Sequence, residues 1–136
     1  MNDKFQNYIA LVVEDDASGL AIISVMLRRI GVRTVMERYA SAAVERAKKM
    51  TNVDMIFLDL GLPDGDGYEV LAQLKQEPAL KNVPIIAVTA RDAGTEIAKA
   101  QAAGFTGFLG KPLNRNRFPD QVRRIMEGEG VWEVYN

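Results

Sequence analysis

The chain contains no cysteine and no histidine. Without cysteine there is no disulfide frame and no thiolate metal site. Without histidine, a Ser-His-Asp triad, a His-ligated zinc and a histidine general base are all excluded. No run approaches the ~18 apolar residues of a transmembrane helix. The amino-terminal MNDKFQNY lacks the apolar stretch of a signal peptide. A cytoplasmic protein with no membrane partner is therefore expected. A dominant charge is missing as well: 17 basic and 18 acidic residues leave a net charge of −1. No global basic field draws the chain to nucleic acid or to a membrane. What is present is ordinary for a soluble globule: 48% apolar and 26% charged residues. A length of 136 residues implies one domain, and a domain near this size buries roughly 68–70% of its unfolded-chain surface.

Short apolar runs alternate with segments of helical period. Residues 9–13, 53–59 and 84–89 read as buried strands, 32–39 as an edge strand and 106–109 as a short fifth strand. Helices are expected over 17–30, 41–50, 66–75 and 92–103, with a last one ending near residue 126. Leu20, Ile23, Leu27 and Ile30 share one face of the first, and Gly31 stops it. Ser41 is the expected cap of the second. Asp66 with Glu69 resembles a capping box at the third, and Gly104 follows the fourth. Phe118, Val122 and Ile125 face the core from the last, where Pro119 fits only near the first turn. Five strand–helix pairs imply right-handed crossovers and a parallel sheet covered on both faces. The core is expected over about 9–126. Residues 128–136 (GEGVWEVYN) form a tail too short for a second domain.

Four of the apolar runs end in polar residues. The run 9–13 leads into Glu14, Asp15 and Asp16, the run 55–58 into Asp59, the run 85–88 into Thr89, and Phe108-Leu109 to Lys111-Pro112. In a parallel α/β sheet the carboxyl ends of the strands share one edge, where ligands bind. Carboxylates, a hydroxyl and an ammonium would meet there. Glu14, Asp15 and Asp59 would crowd negative charge, which is costly unless a cation compensates it. Magnesium suits the task, being a hard ion held by few carboxylates, waters and a phosphate oxygen. It would also neutralise charge on a transferred phosphoryl group. Asp59 stands alone at the end of a central strand and is the best nucleophile. Thr89 could donate its hydroxyl to a phosphoryl oxygen. Lys111 offers a point charge for phosphate, and a cis bond to Pro112 would aim it into the site.

Each of these residues has an ordinary explanation: loop acids after a strand, a threonine helix cap, a solvated lysine. Their joint placement is what points to an aspartate that accepts phosphate. Asp64-Gly65-Asp66-Gly67 has the flavour of a calcium loop without EF-hand spacing. No G-x-x-x-x-G-K-[ST] exists, which argues against P-loop nucleotide hydrolysis. Arg115, Arg117, Arg123 and Arg124 read as a solvated helix face rather than a nucleic-acid surface, since no aromatic stacking platform accompanies them. Ile22, Val25 and Met26 lie off the apolar face of the first helix. They are either a wide buried face or a partner-docking patch.

The motifs LVVEDD, MIFLDLGLPDGDG, PIIAVTA and GFLGKP, in this order and spacing, resemble the response-regulator receiver domain of two-component signalling. The resemblance covers about residues 9–126. It implies an α/β flavodoxin-like fold: a five-stranded parallel sheet of order 2-1-3-4-5 with five helices on its two faces. It implies that Asp59 is phosphorylated, with Thr89 and Lys111 as its catalytic companions. Mg2+ would be held by Glu14, Asp15, Asp59 and the backbone carbonyl of Gly61. Phe108 stands where the family has its switch aromatic, which turns inward as Thr89 moves. Glu14 replaces a frequent aspartate, and Phe108 replaces a frequent tyrosine and lacks its hydroxyl. Gly61 and Arg91 occupy two variable positions that tune phosphoryl lifetime.

The expected function is that of a stand-alone phosphoacceptor, similar to a chemotaxis-type regulator or a phosphorelay intermediate. Its donor would be a histidine kinase or a histidine phosphotransfer protein. Its output would be a downstream protein target, with no direct nucleic-acid contact, as a monomer or a phosphorylation-dependent dimer. No turnover of an exogenous substrate is expected. Two other readings stand beside it. One is a phosphorylation-independent adaptor or dimerisation module of the same fold. The other is a small hydrolase using Asp59 on a phosphoester, which would need a substrate cap.

Overall fold

Parallel strands cannot be joined by a hairpin; each needs a crossover long enough to hold a helix. The chain supplies one after each of its first five strands. The computed structural model describes residues 6–133. Its elements run β1 (Ile9–Val13), α1 (Ala17–Arg29), β2 (Arg33–Glu37), α2 (Ala40–Lys49), β3 (Met55–Leu58) and α3 (Gly67–Lys75). A 3-10 turn (Pro78–Leu80) then leads to β4 (Ile85–Thr89), α4 (Ala93–Ala103), β5 (Gly107–Gly110), α5 (Phe118–Met126) and β6 (Val131–Glu133).

The sheet has six parallel strands in the order β2-β1-β3-β4-β5-β6. The first five follow the expected 2-1-3-4-5 order, but the five-stranded sheet expected from the sequence is one strand short. The segment read as a tail pairs with β5 in the register Gly107↔Val131, Phe108↔Trp132, Leu109↔Glu133. Three residues leave no periodic signal, which is why the strand is not visible in the sequence. Residues 134–136 of that tail lie outside the described residues.

Strand residues alternate between two apolar layers, as the two-residue period of a strand requires. Leu11, Val13, Ile56, Leu58, Ala87 and Phe108 meet Ala43 and Ala47 of α2, Leu71 and Leu74 of α3 and Ala100 of α4. Ala10, Val12, Phe57, Val88 and Leu109 meet Leu20, Ile23 and Leu27 of α1 and Val122 and Ile125 of α5. Full burial of each large side chain stabilises by roughly 1.5–3 kcal/mol, so both layers hold the strand ends in place.

Asp16 caps α1, its carboxylate accepting from the Gly19 N–H at 2.8 Å. Ser41 does not cap α2. It sits inside the first turn, and the cap comes from a loop far along the chain. Asp64 accepts from the Ala40 N–H at 2.8 Å, the Ser41 N–H at 3.2 Å and the Ser41 hydroxyl at 3.1 Å. At α3, Asp66 accepts from the Tyr68 N–H at 2.9 Å, and Glu69 lies in the first turn, where the helix dipole favours an acid. Gly104 closes α4 with a left-handed φ of 107°. Pro119 falls in the first turn of α5, where its missing N–H is not needed.

Candidate functional site

Backbone hydrogen bonds carry the sheet one step past its strands and so place the site. The Glu14 N–H donates to the Glu37 carbonyl at 3.0 Å, the Asp59 N–H to Val13 at 3.0 Å and the Lys111 N–H to Thr89 at 2.8 Å. Glu14 and Asp15 follow β1, Asp59 follows β3, Thr89 ends β4, and Lys111 follows β5. Sequence positions almost a hundred residues apart therefore converge on the carboxyl edge of the sheet.

Lys111 reaches into the acids. Its ammonium donates a short hydrogen bond to Glu14 Oε1 and lies 3.4 Å from Asp59 Oδ2. The Lys111-Pro112 bond is cis. The second Glu14 oxygen accepts from the Asp16 N–H at 3.2 Å. The Gly61 N–H donates to Asp59 Oδ1 at 3.0 Å. Burial raises the Glu14 pKa, opposed by its hydrogen bond to Lys111 and reinforced by Asp59. Burial works against the Lys111 charge, but the hydrogen bond to Glu14 and the charge of Asp59 outweigh it, so the ammonium is held above its ordinary value. The site is thus short of positive charge, with two carboxylates competing for one ammonium.

Thr89 is buried. Its hydroxyl oxygen accepts from the Arg91 N–H at 3.1 Å, which leaves the hydroxyl proton available for donation. Arg91 itself bridges outward, from the Leu60 carbonyl at 3.2 Å to Glu96 at 3.9 Å. Phe108 is fully buried and belongs to the layer beneath α2–α4. Beside the acids lies a cavity of about 350 Å³ lined by Ile22, Ile23, Phe57, Val88 and Leu113 together with Glu14, Asp59 and Lys111.

Among the described residues no three acids converge into a ready-made metal cage. The donor chemistry nevertheless fits magnesium, which needs few protein oxygens and keeps several waters. Glu14 and Asp59 already share one cation, the Lys111 ammonium; Asp15 follows Glu14 in the chain but does not join the two in a group of three acids among the described residues. A divalent ion at the same carboxylates would answer the same excess of negative charge.

The two ambiguous surfaces resolve differently. In α1, Met26 packs against the core, whereas Ile22 and Val25 are 52% and 44% exposed. Of the basic cluster, Arg117 at the cap of α5 and Arg123 and Arg124 within it are engaged within the chain. Arg123 pairs with Asp120 and Glu127, Arg124 with Glu129 and Glu133, and Arg117 with Glu133. Three positions escaped the sequence reading: Asp64 as a remote cap, Gly107 as a point of close strand approach, and Glu133 as the acid that gathers α5 cations. An isolated glycine within a strand run was the available signal for the second.

The sequence profile of the response regulator receiver domain matches residues 10–123. The chain is 31% identical over 121 residues to the signal transduction histidine-protein kinase BarA of Shigella flexneri, covering 89% of this chain and 13% of that protein. It thus spans about an eighth of that relative's length. It is 30% identical to the two-component response regulator ORR5 of Oryza sativa subsp. japonica, covering 85% of this chain and 83% of that one. Among solved structures, the receiver domain of a Pseudomonas aeruginosa sensor histidine kinase superposes with a TM-score of 0.79 at 29% identity. The match covers 88% of this chain and 98% of that one, and that structure holds a magnesium ion coordinated in its active site cleft.

Proposed function

The chain belongs to the response regulator receiver domain family of two-component signalling, and from that premise we propose that Asp59 accepts a phosphoryl group from a partner's phosphohistidine. The donor is a histidine kinase or a histidine phosphotransfer protein. The observation that carries this reading is the convergence of the Lys111 ammonium on the carboxylates of Glu14 and Asp59 at the carboxyl edge of the sheet.

A carboxylate oxygen of Asp59 forms the new O–P bond as the P–N bond to the partner's imidazole breaks. The electron pair of that bond stays on the imidazole nitrogen. Gly61 holds one Asp59 oxygen through its N–H and so fixes the direction of the carboxylate. Lys111 and the Thr89 hydroxyl bind the phosphoryl oxygens, where charge-assisted hydrogen bonds are strongest. Magnesium, held by Glu14, Asp15, Asp59 and the Gly61 carbonyl, would supply the remaining positive charge. The exposed Ile22, beside the cavity that opens onto the acids, gives a partner an apolar foothold next to Asp59.

The phosphoryl group adds charge and acceptor oxygens at one point. Thr89 and Lys111 turn toward it, Phe108 responds, and the surface built by α4, β5 and α5 shifts its population toward the signalling form. The output passes through contacts with a downstream protein. The chain modifies itself and turns over no exogenous substrate.

The test is intact-mass measurement after incubation with magnesium and acetyl phosphate. The wild type is expected to gain one phosphoryl group, and Asp59→Asn or EDTA to abolish the gain. Neither acetyl phosphate nor a phosphoramidate producing the adduct, with no beryllofluoride binding, would refute the proposal in favour of a phosphorylation-independent adaptor.

A further inference from the structure

The strand that leads into Lys111, β5, is supported unequally on its two edges. On its inner edge β5 pairs with β4, and the Lys111 N–H is anchored on the Thr89 carbonyl at 2.8 Å. On its outer edge stands β6. Take β6 away and the four residues of β5 become a free sheet edge, with the site's cation at its end.

Several features build β6 into that place. At Gly107 a Cβ would fall 2.8 Å from the Val131 carbonyl oxygen, so the close approach of the two backbones requires glycine there. At Gly130 a Cβ would fall 2.6 Å from Trp132 Nε1, so the indole folds back over bare backbone. Trp132 packs on the apolar layer that contains Phe108, which is its register partner. Glu133 is then clamped by α5, accepting from Arg117 at 2.6 Å, Gln121 Nε2 at 2.8 Å and Arg124 at 2.8 Å. Gln121 is 5% exposed, and its own Oε1 has no partner among the described residues. Its amide is turned toward Glu133 at the expense of its buried carbonyl oxygen. A strand serving only to cover an edge needs none of this specificity.

We propose that β6 is a positioning strand: docked on the outer edge of β5, it holds Lys111 in place for a phosphoryl group on Asp59, and Trp132 registers that group through Phe108. The inference rests on the reading of Asp59 as phosphoacceptor. Coupling of this kind is reciprocal. The factor by which docking of β6 tightens the anion at Asp59 equals the factor by which the anion tightens β6.

The chain contains one tryptophan, so its emission reports β6 without labelling. The full chain is titrated with beryllofluoride in the presence of magnesium, and bound fluoride is followed in parallel by fluorine NMR. In the wild type, Trp132 emission is expected to change with the same midpoint as the fluorine signal. Gly107→Ala pries β6 away sterically and Glu133→Gln releases the clamp. Each is expected to raise the half-saturating concentration about fivefold or more, with Glu133→Asp recovering part of the loss. Circular dichroism establishes that each variant is folded; should Gly107→Ala fail there, Glu133→Gln decides. A merely structural β6 would lower the melting temperature and leave the half-saturating concentration unchanged. That outcome, or an emission that stays constant while fluoride binds, overturns the proposal. Absence of bound fluoride in the wild type overturns the phosphoacceptor reading itself, a result distinct from either.

Discussion

Lys111 holds two carboxylates that would otherwise face each other. The Glu14 side chain is 7% exposed, that of Asp59 13% and that of Lys111 26%, so water screens the group poorly. Removing one partner of such an arrangement leaves uncompensated charge, which is more costly than the pair itself is worth. Lys111→Met keeps most of the volume and deletes the charge. It is expected to destabilise the metal-free protein by about 1–3 kcal/mol, below the full cost of breaking a buried pair because the site is only part-buried. Magnesium should then restore more stability to this variant than to the wild type, since the ammonium no longer competes for Glu14 and Asp59. Urea titrations with and without magnesium measure both effects. Equal stabilisation of the two proteins by the metal would show that Lys111 and magnesium do not compete. That Glu14, Asp59 and Lys111 meet was legible in the sequence because each follows an apolar run, and the ends of buried strands are easy to place. Their pairing was not legible, because which carboxylate takes the lysine depends on side-chain reach across the sheet edge.

At the scale of elements, helix starts show where local reading stops working. Within one turn of the start of α2, Ser41 is a good cap by type. The cap that operates is Asp64, from the loop between β3 and α3. Nothing in the sequence around residue 40 could announce it. That loop is pinned at a second point, Gly67, which opens α3. A Cβ there would stand 2.8 Å from the Leu60 Cα and 2.9 Å from the Asp59 carbonyl oxygen. Both contacts are backbone and cannot rotate away. Gly67→Ala must therefore push α3 from the segment that carries Asp59, and overpacking of this kind costs about 1–3 kcal/mol. The variant is expected to be less stable in urea and to accept phosphate from acetyl phosphate more slowly. Gly61→Ala is the control: its nearest contact would be an Asp59 side-chain oxygen at 3.9 Å, so it should retain wild-type stability. Equal stability of Gly67→Ala and wild type would show that the loop yields freely at this point.

Across the whole molecule, the alternation of apolar runs and helical segments disclosed the first five strands and a parallel sheet covered on both faces, while their order in the sheet was implied by the family resemblance alone. It missed β6, since Val131–Glu133 borrows its stability from Gly107 and from the cations of α5 rather than from a pattern of its own. Asp64 and Glu133 share a role at this scale, because each ties elements that local structure alone would leave apart. Hydrogen bonds from the Ala40 and Ser41 backbones lower the Asp64 pKa below 3.8. The hydrogen bond from Gln121, followed by that from Arg124, lowers Glu133 below 4.5. A depressed folded-state value means that the unfolded chain binds protons more readily as the medium acidifies. The stability from both carboxylates is complete above their ordinary values and is lost as pH falls through the lower folded ones. Thermal midpoints should therefore drop on acidification from roughly pH 5 to pH 3. The double variant Asp64→Asn, Glu133→Gln should begin lower at neutral pH, fall less over that interval, and approach the wild type at its acid end. Parallel curves for the two proteins would mean that other carboxylates govern the acid limb, and that α2 and β6 are held by their apolar contacts alone.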